Sequence, residues 1–228
     1  MPEEQELKRF LDALSQDEYP GRWAITVYIV TSSAVEPAGD DTLDKKAQEK
    51  FQAYIKTNLR FDVEELNDKK IPLDIEYISR PAASILETRT HFRSKYGWPK
   101  EYETGVFRNH THHDMRHRYF IMIDDETMTT LQDAPDAVSE LPRGGDYWDV
   151  SKGEDSIVIK IVDADYDEAC DGIQFAAAGR GMPKDSPHSI TFYGYMKTTP
   201  RWLRLLWVNV ADLGFRAVFK GKDVVYKG

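Results

Sequence analysis

Cysteine is nearly absent. The 228-residue chain holds one, Cys170, so no disulfide can form within it and a cysteine-rich zinc framework is excluded. Long apolar runs are missing too. The most apolar stretch, Trp202 to Phe219, is interrupted by Arg204, Asp212 and Arg216. Its longest uncharged run, Leu205 to Ala211, is far short of the ~20 residues that span a bilayer. Basic residues are in deficit, 30 Lys and Arg against 39 Asp and Glu, for a formal net charge of -9. Such a surface repels phosphate backbones and anionic lipid heads, so no nucleic acid and no membrane is expected as a partner. Internal repeats and low-complexity tracts are lacking, as are a Walker A loop, a dinucleotide fingerprint and a G-x-S-x-G elbow.

What is present has the balance of a globular protein, 41% hydrophobic and 30% charged. The length suits one sizeable core, so residues 1-228 are read as a single α+β domain. Leu7, Phe10, Leu11 and Leu14 recur at helical spacing and make 1-20 an N-terminal helical extension. The opening MPEEQELKRF has neither the basic nor the apolar part of a signal peptide, so a cytoplasmic or nuclear location is expected.

Trp23 to Val30, Tyr119 to Ile123 and Ile157 to Val162 are rich in β-branched and aromatic residues and read as strands. Ile71 to Arg80 alternates apolar and polar residues, the pattern of a half-buried strand, and Val224 to Tyr226 reads as a short final one. Asp41 or Thr42 can cap a helix whose inner face carries Ala47, Phe51, Tyr54, Ile55 and Leu59. Pro81 suits the first turn of a second helix, bearing Ile85, Arg89, Phe92 and Tyr96. Asp124, Asp125 and Glu126 lead into a third. Ser189 to Phe219 reads as helical, broken near Thr199 and Pro200. The order predicts a ferredoxin-like β-α-β-β-α-β sandwich with an inserted helix and an extra C-terminal helical segment.

The segments HRYFIMIDDETMTTL, GGDYWDV, VIKIVDADYD and GYMKTTPRWLRLLWVNVADLG, with the opening strand RWAITVYIV, resemble an uncharacterised protein family of filamentous ascomycete fungi. The likeness covers most of residues 20–215. The family has no assigned activity, so the resemblance implies shared structure and transfers no catalytic residue.

Two constellations can carry chemistry. Asp124 and Asp125 end one strand, while Asp163, Asp165 and Asp167 follow another. In a sheet ordered 4-1-3-2 these clusters share one edge, roughly 10 Å apart, with Arg22 between them. Carboxylates so placed can hold a divalent metal such as Mg²⁺ or act as acid and base. The structural reading is that Asp124 or Asp125 is an N-cap and Arg22 neutralises its neighbours. The start of a calcium loop at Asp163-Ala-Asp165-Tyr-Asp167 fails where Glu168 replaces the required Gly. The second constellation is His110, His112, His113 and His117, four imidazoles within eight residues. They can ligate Zn²⁺, Ni²⁺ or Cu²⁺, although the spacing fits no standard site and Arg108, Arg116 and Arg118 disfavour a cation.

The glycine loops at Gly144-Gly145 and Gly179-Arg180-Gly181 are read as turns, and Cys170 has no catalytic signature around it. The aromatic segment from Tyr193 to Phe219 is read as core cover, with Leu203, Leu206, Trp207, Val210 and Leu213 inward and Arg201 and Arg204 exposed. Two functional classes follow. One is a non-catalytic binding or protein-interaction module, taking a protein partner or a small molecule, or self-associating as a homo-oligomer. The other is a metal-assisted hydrolase or transferase acting on a small cytosolic substrate through the acidic sheet edge.

Overall fold

The computed structural model describes residues 23–32, 41–61, 73–96, 118–137, 156–166, 175–176, 189–190, 193–203, 206–207, 209, 219 and 224–227. Among the sequence expectations, residues 1-20, Arg22, the four clustered histidines (His110, His112, His113 and His117), both glycine loops, Asp167, Cys170, Arg204, Val210 and Leu213 lie outside the described residues.

The elements run β1 (Trp23–Ile29), α1 (Asp41–Phe61), β2 (Leu73–Ser79), α2 (Ile85–Lys95), β3 (Tyr119–Ile123), α3 (Asp125–Asp133), β4 (Ile159–Asp163), β5 (Phe175–Ala176), β6 (Ser189–Ile190), β7 (Tyr195–Thr198) and β8 (Val225–Tyr226). Among the described residues six strands form a mixed sheet in the order β2-β1-β3-β4-β7-β8, and β5 pairs with β6 apart from it. β1 is parallel to both β2 and β3, β4 is antiparallel to β3 and β7, and β8 is parallel to β7.

This corrects the 4-1-3-2 order of a ferredoxin-like sandwich, in which β2 and β3 would be antiparallel neighbours. The helix expected as an insertion between them, α2, is a crossover. A crossover returns the chain parallel to its start, so β3 lands beside β1 on the side away from β2. Crossovers of one hand that step in opposite directions place their helices on opposite faces. The burial agrees. Ile25, Val27, Ile29, Ile121, Ile123 and Ile161 face Phe51, Tyr54 and Ile55 of α1 and Met128 and Leu131 of α3. Tyr28, Val30, Phe120, Met122 and Val162 face Phe92 of α2. The result is a mixed α/β fold of three layers.

Local chemistry fixes the helix ends. Ser84 and Glu87 form a capping box at α2: the Glu87 amide donates to Ser84 Oγ at 3.2 Å, and Glu87 Oε2 accepts from the Ser84 amide at 2.8 Å. The helix therefore starts at Ile85, and Pro81 lies in the turn before it, next to Ala82 at φ 55°. At the far end of α3, Lys50 donates to the Gln132 and Ala134 carbonyls and Tyr54 to that of Pro135. A cation there is favoured by the helix dipole and ties α1 to α3.

The expected C-terminal helix is also corrected. Tyr195–Thr198 is a strand with alternating burial, entered through Gly194 at φ 72°. The helical turn begins only at Pro200, and Ser189–Ile190 pairs with Phe175–Ala176. Leu203, Leu206 and Trp207 are buried as expected, but Arg201 is half-buried, with its guanidinium 5.0 Å from the Trp202 ring centroid.

Candidate functional site

β1 and β3 are parallel neighbours, so their carboxyl ends lie side by side, and the helices that leave them, α1 and α3, pack together on one face of the sheet. The Val30 amide donates to the Ile123 carbonyl at 2.9 Å, and the Arg80 amide donates to that of Ile29 at 2.8 Å, so the three chain ends stay level. Thr31 and Ser32 follow β1, and Asp124 and Asp125 follow β3. The Asp125 carboxylate accepts from the Ser32 amide at 2.9 Å and from Ser32 Oγ at 2.7 Å. Thr31 is 1% exposed, and its hydroxyl has no hydrogen-bond partner among the described residues. Leaving such a group unsatisfied costs about 1–3 kcal/mol. The Thr199 hydroxyl, at the same end of β7, is likewise buried without a partner among the described residues.

Asp124 is the N-cap of α3, accepting from the Thr127 amide at 3.0 Å and the Thr127 hydroxyl at 3.1 Å. It also pairs with Lys160 of β4. Lys160 lies opposite Lys197 of β7, and Glu126 bridges the two like charges at 3.3 and 2.7 Å. Burial works to raise the Asp124 carboxyl, but Lys160 and Thr127 outweigh it and hold it below the usual aspartate range. The hydrogen bond from Lys197 holds Glu126 below the glutamate range, helped by Lys160 and opposed by partial burial. Burial works to lower the Lys160 ammonium, and Asp124 and Glu126 raise it instead.

Both carboxyls titrate lower in the folded chain than in the unfolded one. Their stabilisation is therefore complete above the unfolded carboxylate values, about 4, and is lost as pH falls through the folded ones. Urea unfolding between pH 7 and 3 is expected to show that loss, and Asp124→Asn to lessen it. Asparagine caps as well as aspartate, so Asp124→Ala is expected to cost about 1 kcal/mol more than Asp124→Asn. Equal losses in the two variants would show that the cap contributes nothing.

Asp163 and Asp165 sit elsewhere. Tyr119, the first residue of β3, pairs with Asp163, the last of β4, so this acidic group lies at the opposite end of the sheet. Five residues of strand separate it from Asp124, roughly 17 Å. The shared acidic edge expected from the 4-1-3-2 order is thus not formed, because β4 is antiparallel to β3. Asp163 is 3% exposed and accepts from the Asp165 amide at 2.9 Å. Arg118 pairs with both carboxylates at 3.5 Å. Burial opposes the charged Arg118, yet Asp163, Tyr119 and Asp165 raise it above the ordinary arginine value. The same turn is clamped from α2: Arg89 donates to the Asp163 carbonyl at 3.0 Å, and Arg93 to those of Ala164 and Tyr166 at 2.6 and 2.9 Å. The VDADY segment is therefore braced as structure at this end.

The sequence reading reached Asp124 and Asp125 but missed Thr31, Ser32, Lys160 and Lys197. The signal available for them was a β-α-β-α-β run, whose crossovers make the strands parallel and bring their carboxyl ends together. Among the described residues no group of three or more His, Cys, Asp or Glu side chains is placed to hold a metal ion. No helix among them is long and apolar enough to cross a membrane. No family model matches the chain, and no curated protein or solved structure matches it either.

Proposed function

We propose that this chain is a non-catalytic binding module that takes a small molecule or a segment of a protein partner at the carboxyl ends of β1 and β3. The observation that carries the reading is the buried Thr31 hydroxyl, which lacks a partner among the described residues and lies at the carboxyl end of β1, beside that of β3. The reading is also supported by the placement of Asp124 and Asp163 at opposite ends of the sheet, each engaged in capping, turn or ion-pair contacts. Kinship with the ascomycete family is part of the same proposal, and the segments that carry the resemblance fall on β1, β3, β4 and β7. A cytoplasmic or nuclear setting belongs to the same proposal.

A second reading, metal-assisted hydrolysis or transfer, keeps Asp124 and Asp125 at the carboxyl end of β3. It is favoured by the exposed Asp125 carboxylate.

Thermal melting against a panel of metabolites and of Mg²⁺, Mn²⁺, Ca²⁺, Zn²⁺ and Ni²⁺ separates the readings, since a ligand that binds only the folded state raises Tm. Thr31→Val removes the hydroxyl at nearly constant volume. The binding reading expects it to hold or raise the Tm of the free protein while weakening a metabolite-induced shift at least tenfold in apparent affinity. A shift by Mg²⁺ or Mn²⁺ that Asp125→Asn abolishes would favour the enzyme instead. If Thr31→Val lowers the Tm of the free protein, the hydroxyl is satisfied within the molecule and the binding reading fails.

A further inference from the structure

β2 is the terminal strand of the described sheet, and its backbone has a defined outward set. The Arg80 amide donates to the Ile29 carbonyl. In a parallel ladder alternate residues turn both backbone groups to the same neighbour. Asp74, Glu76, Ile78 and Arg80 therefore bond to β1, while Ile75, Tyr77 and Ser79 direct N–H and C=O away from it. The side chains from Ile75 to Ile78 are half-exposed, and those of Asp74 and Ser79 are exposed. On β1 every described side chain is buried.

The charges along this edge are ordered, an acid at the start and a base at the end. Antiparallel pairing with an identical strand, centred on Tyr77, sets Asp74 against Arg80 of the second copy and Arg80 against its Asp74. These residues fall in non-hydrogen-bonded pairs, where opposed side chains come closest. The outward residues meet as Ile75 with Ser79, Tyr77 with Tyr77, and Ser79 with Ile75, exchanging about six hydrogen bonds. Centring on Glu76 instead would oppose Glu76 to itself, a destabilising like-charge pair. Centring on Ile78 would set Pro81, which has no N–H, against Ile75.

We infer that the chain self-associates as a two-fold dimer through antiparallel pairing of the β2 edges, in the register centred on Tyr77 and selected by reciprocal Asp74–Arg80 pairs. A closed two-fold contact of this kind buries both β2 edges, so pairing through β2 stops at two copies. Asp74 keeps its contacts within its own chain, and a carboxylate has lone pairs for several donors. Glu76 stays on Lys95 of its own α2 at 2.6 Å, beside Ile78 of the second copy.

Sedimentation velocity of the full chain across the micromolar range tests this with Asp74→Arg and Arg80→Asp. Wild type is expected to dimerise. Each single variant opposes like charges at both ends of the edge and is expected to weaken the dimer at least roughly tenfold. An equimolar mixture of the two variants restores opposite charges at both ends, and the double variant restores them within one chain. Both are expected to dimerise as wild type does. Circular dichroism confirms that each variant is folded. A wild type that stays monomeric, with Ile75, Tyr77 and Ser79 amides already protected from exchange, would show the edge covered by the chain itself and overturn the proposal. Dimerisation unaffected by the charge reversals would overturn it equally.

Discussion

Gly194→Ala is expected to be among the most damaging single substitutions in this chain, lowering stability by about 3 kcal/mol and Tm by about 6–12 °C. Two costs coincide at Gly194. Its φ of 72° lies in the left-handed region, which charges any residue with a Cβ about 1–2 kcal/mol. An added Cβ would also stand 2.2 Å from Cγ of Tyr166, an approach no real pair of carbons makes. The ring cannot swing away freely, because Tyr166 is buried and the Arg89 guanidinium lies 5.0 Å over it. Urea denaturation and calorimetry measure the loss. The Tyr166 Cβ would itself stand 2.6 Å from the added one, so the companion variant Gly194→Ala/Tyr166→Gly, compared with Tyr166→Gly alone, separates the two costs: it removes the collision and retains the strain. A loss under 1 kcal/mol for Gly194→Ala would mean that β7 enters the sheet by another backbone path.

Arg89→Met is expected to cost a similar amount, about 3 kcal/mol, and Arg89→Lys to recover little of it. Arg89 is 5% exposed, and its planar fork donates to the Asp163 carbonyl at 3.0 Å and the Gly194 carbonyl at 3.4 Å. Methionine matches the stem but leaves those two carbonyls without that donor. Lysine has the charge but not two donors in fixed geometry. Both this substitution and Gly194→Ala act on the Tyr166 ring, so their losses are not expected to add. If Arg89→Lys restored most of the stability, charge rather than geometry would be what holds the turn.

The parts of this fold legible in the sequence are those decided by neighbouring residues. WAITVYI and YFIMI could hardly be anything but strands, and Ala47, Phe51 and Tyr54 mark the inner face of α1 by spacing alone. Asp124 was legible as an N-cap for the same reason. The capping box at Ser84 and Glu87 was equally local, but Pro81 is also a good first-turn residue and competes with it. YMKT misleads because four residues are too few to distinguish a period of two from one of 3.6 when an apolar helical segment follows directly. Strand order was not legible. It depends on whether α2 packs beside α1 or across the sheet from it, a choice made by Phe92, Arg89 and Arg93 with residues far along the chain. The candidate site inherits that limit. Asp124 and Asp163 look like partners along the sequence, and only the direction of β4 sends them to opposite ends.

The central position of β1 has a consequence during synthesis. It is the only strand in the described sheet paired in parallel on both sides, and neither partner exists when it is made. β2 follows after α1, and β3 only after α2. At roughly 5–20 residues per second, translation from Ile29 to Ile123 takes roughly 5–20 s. Throughout that interval the nascent chain carries WAITVYI without its complete lattice of partners. A hydrophobic strand waiting so long is the kind of segment that chaperones hold. The residue pattern that keeps the described side chains of β1 buried in the finished molecule thus leaves that strand vulnerable in the unfinished one.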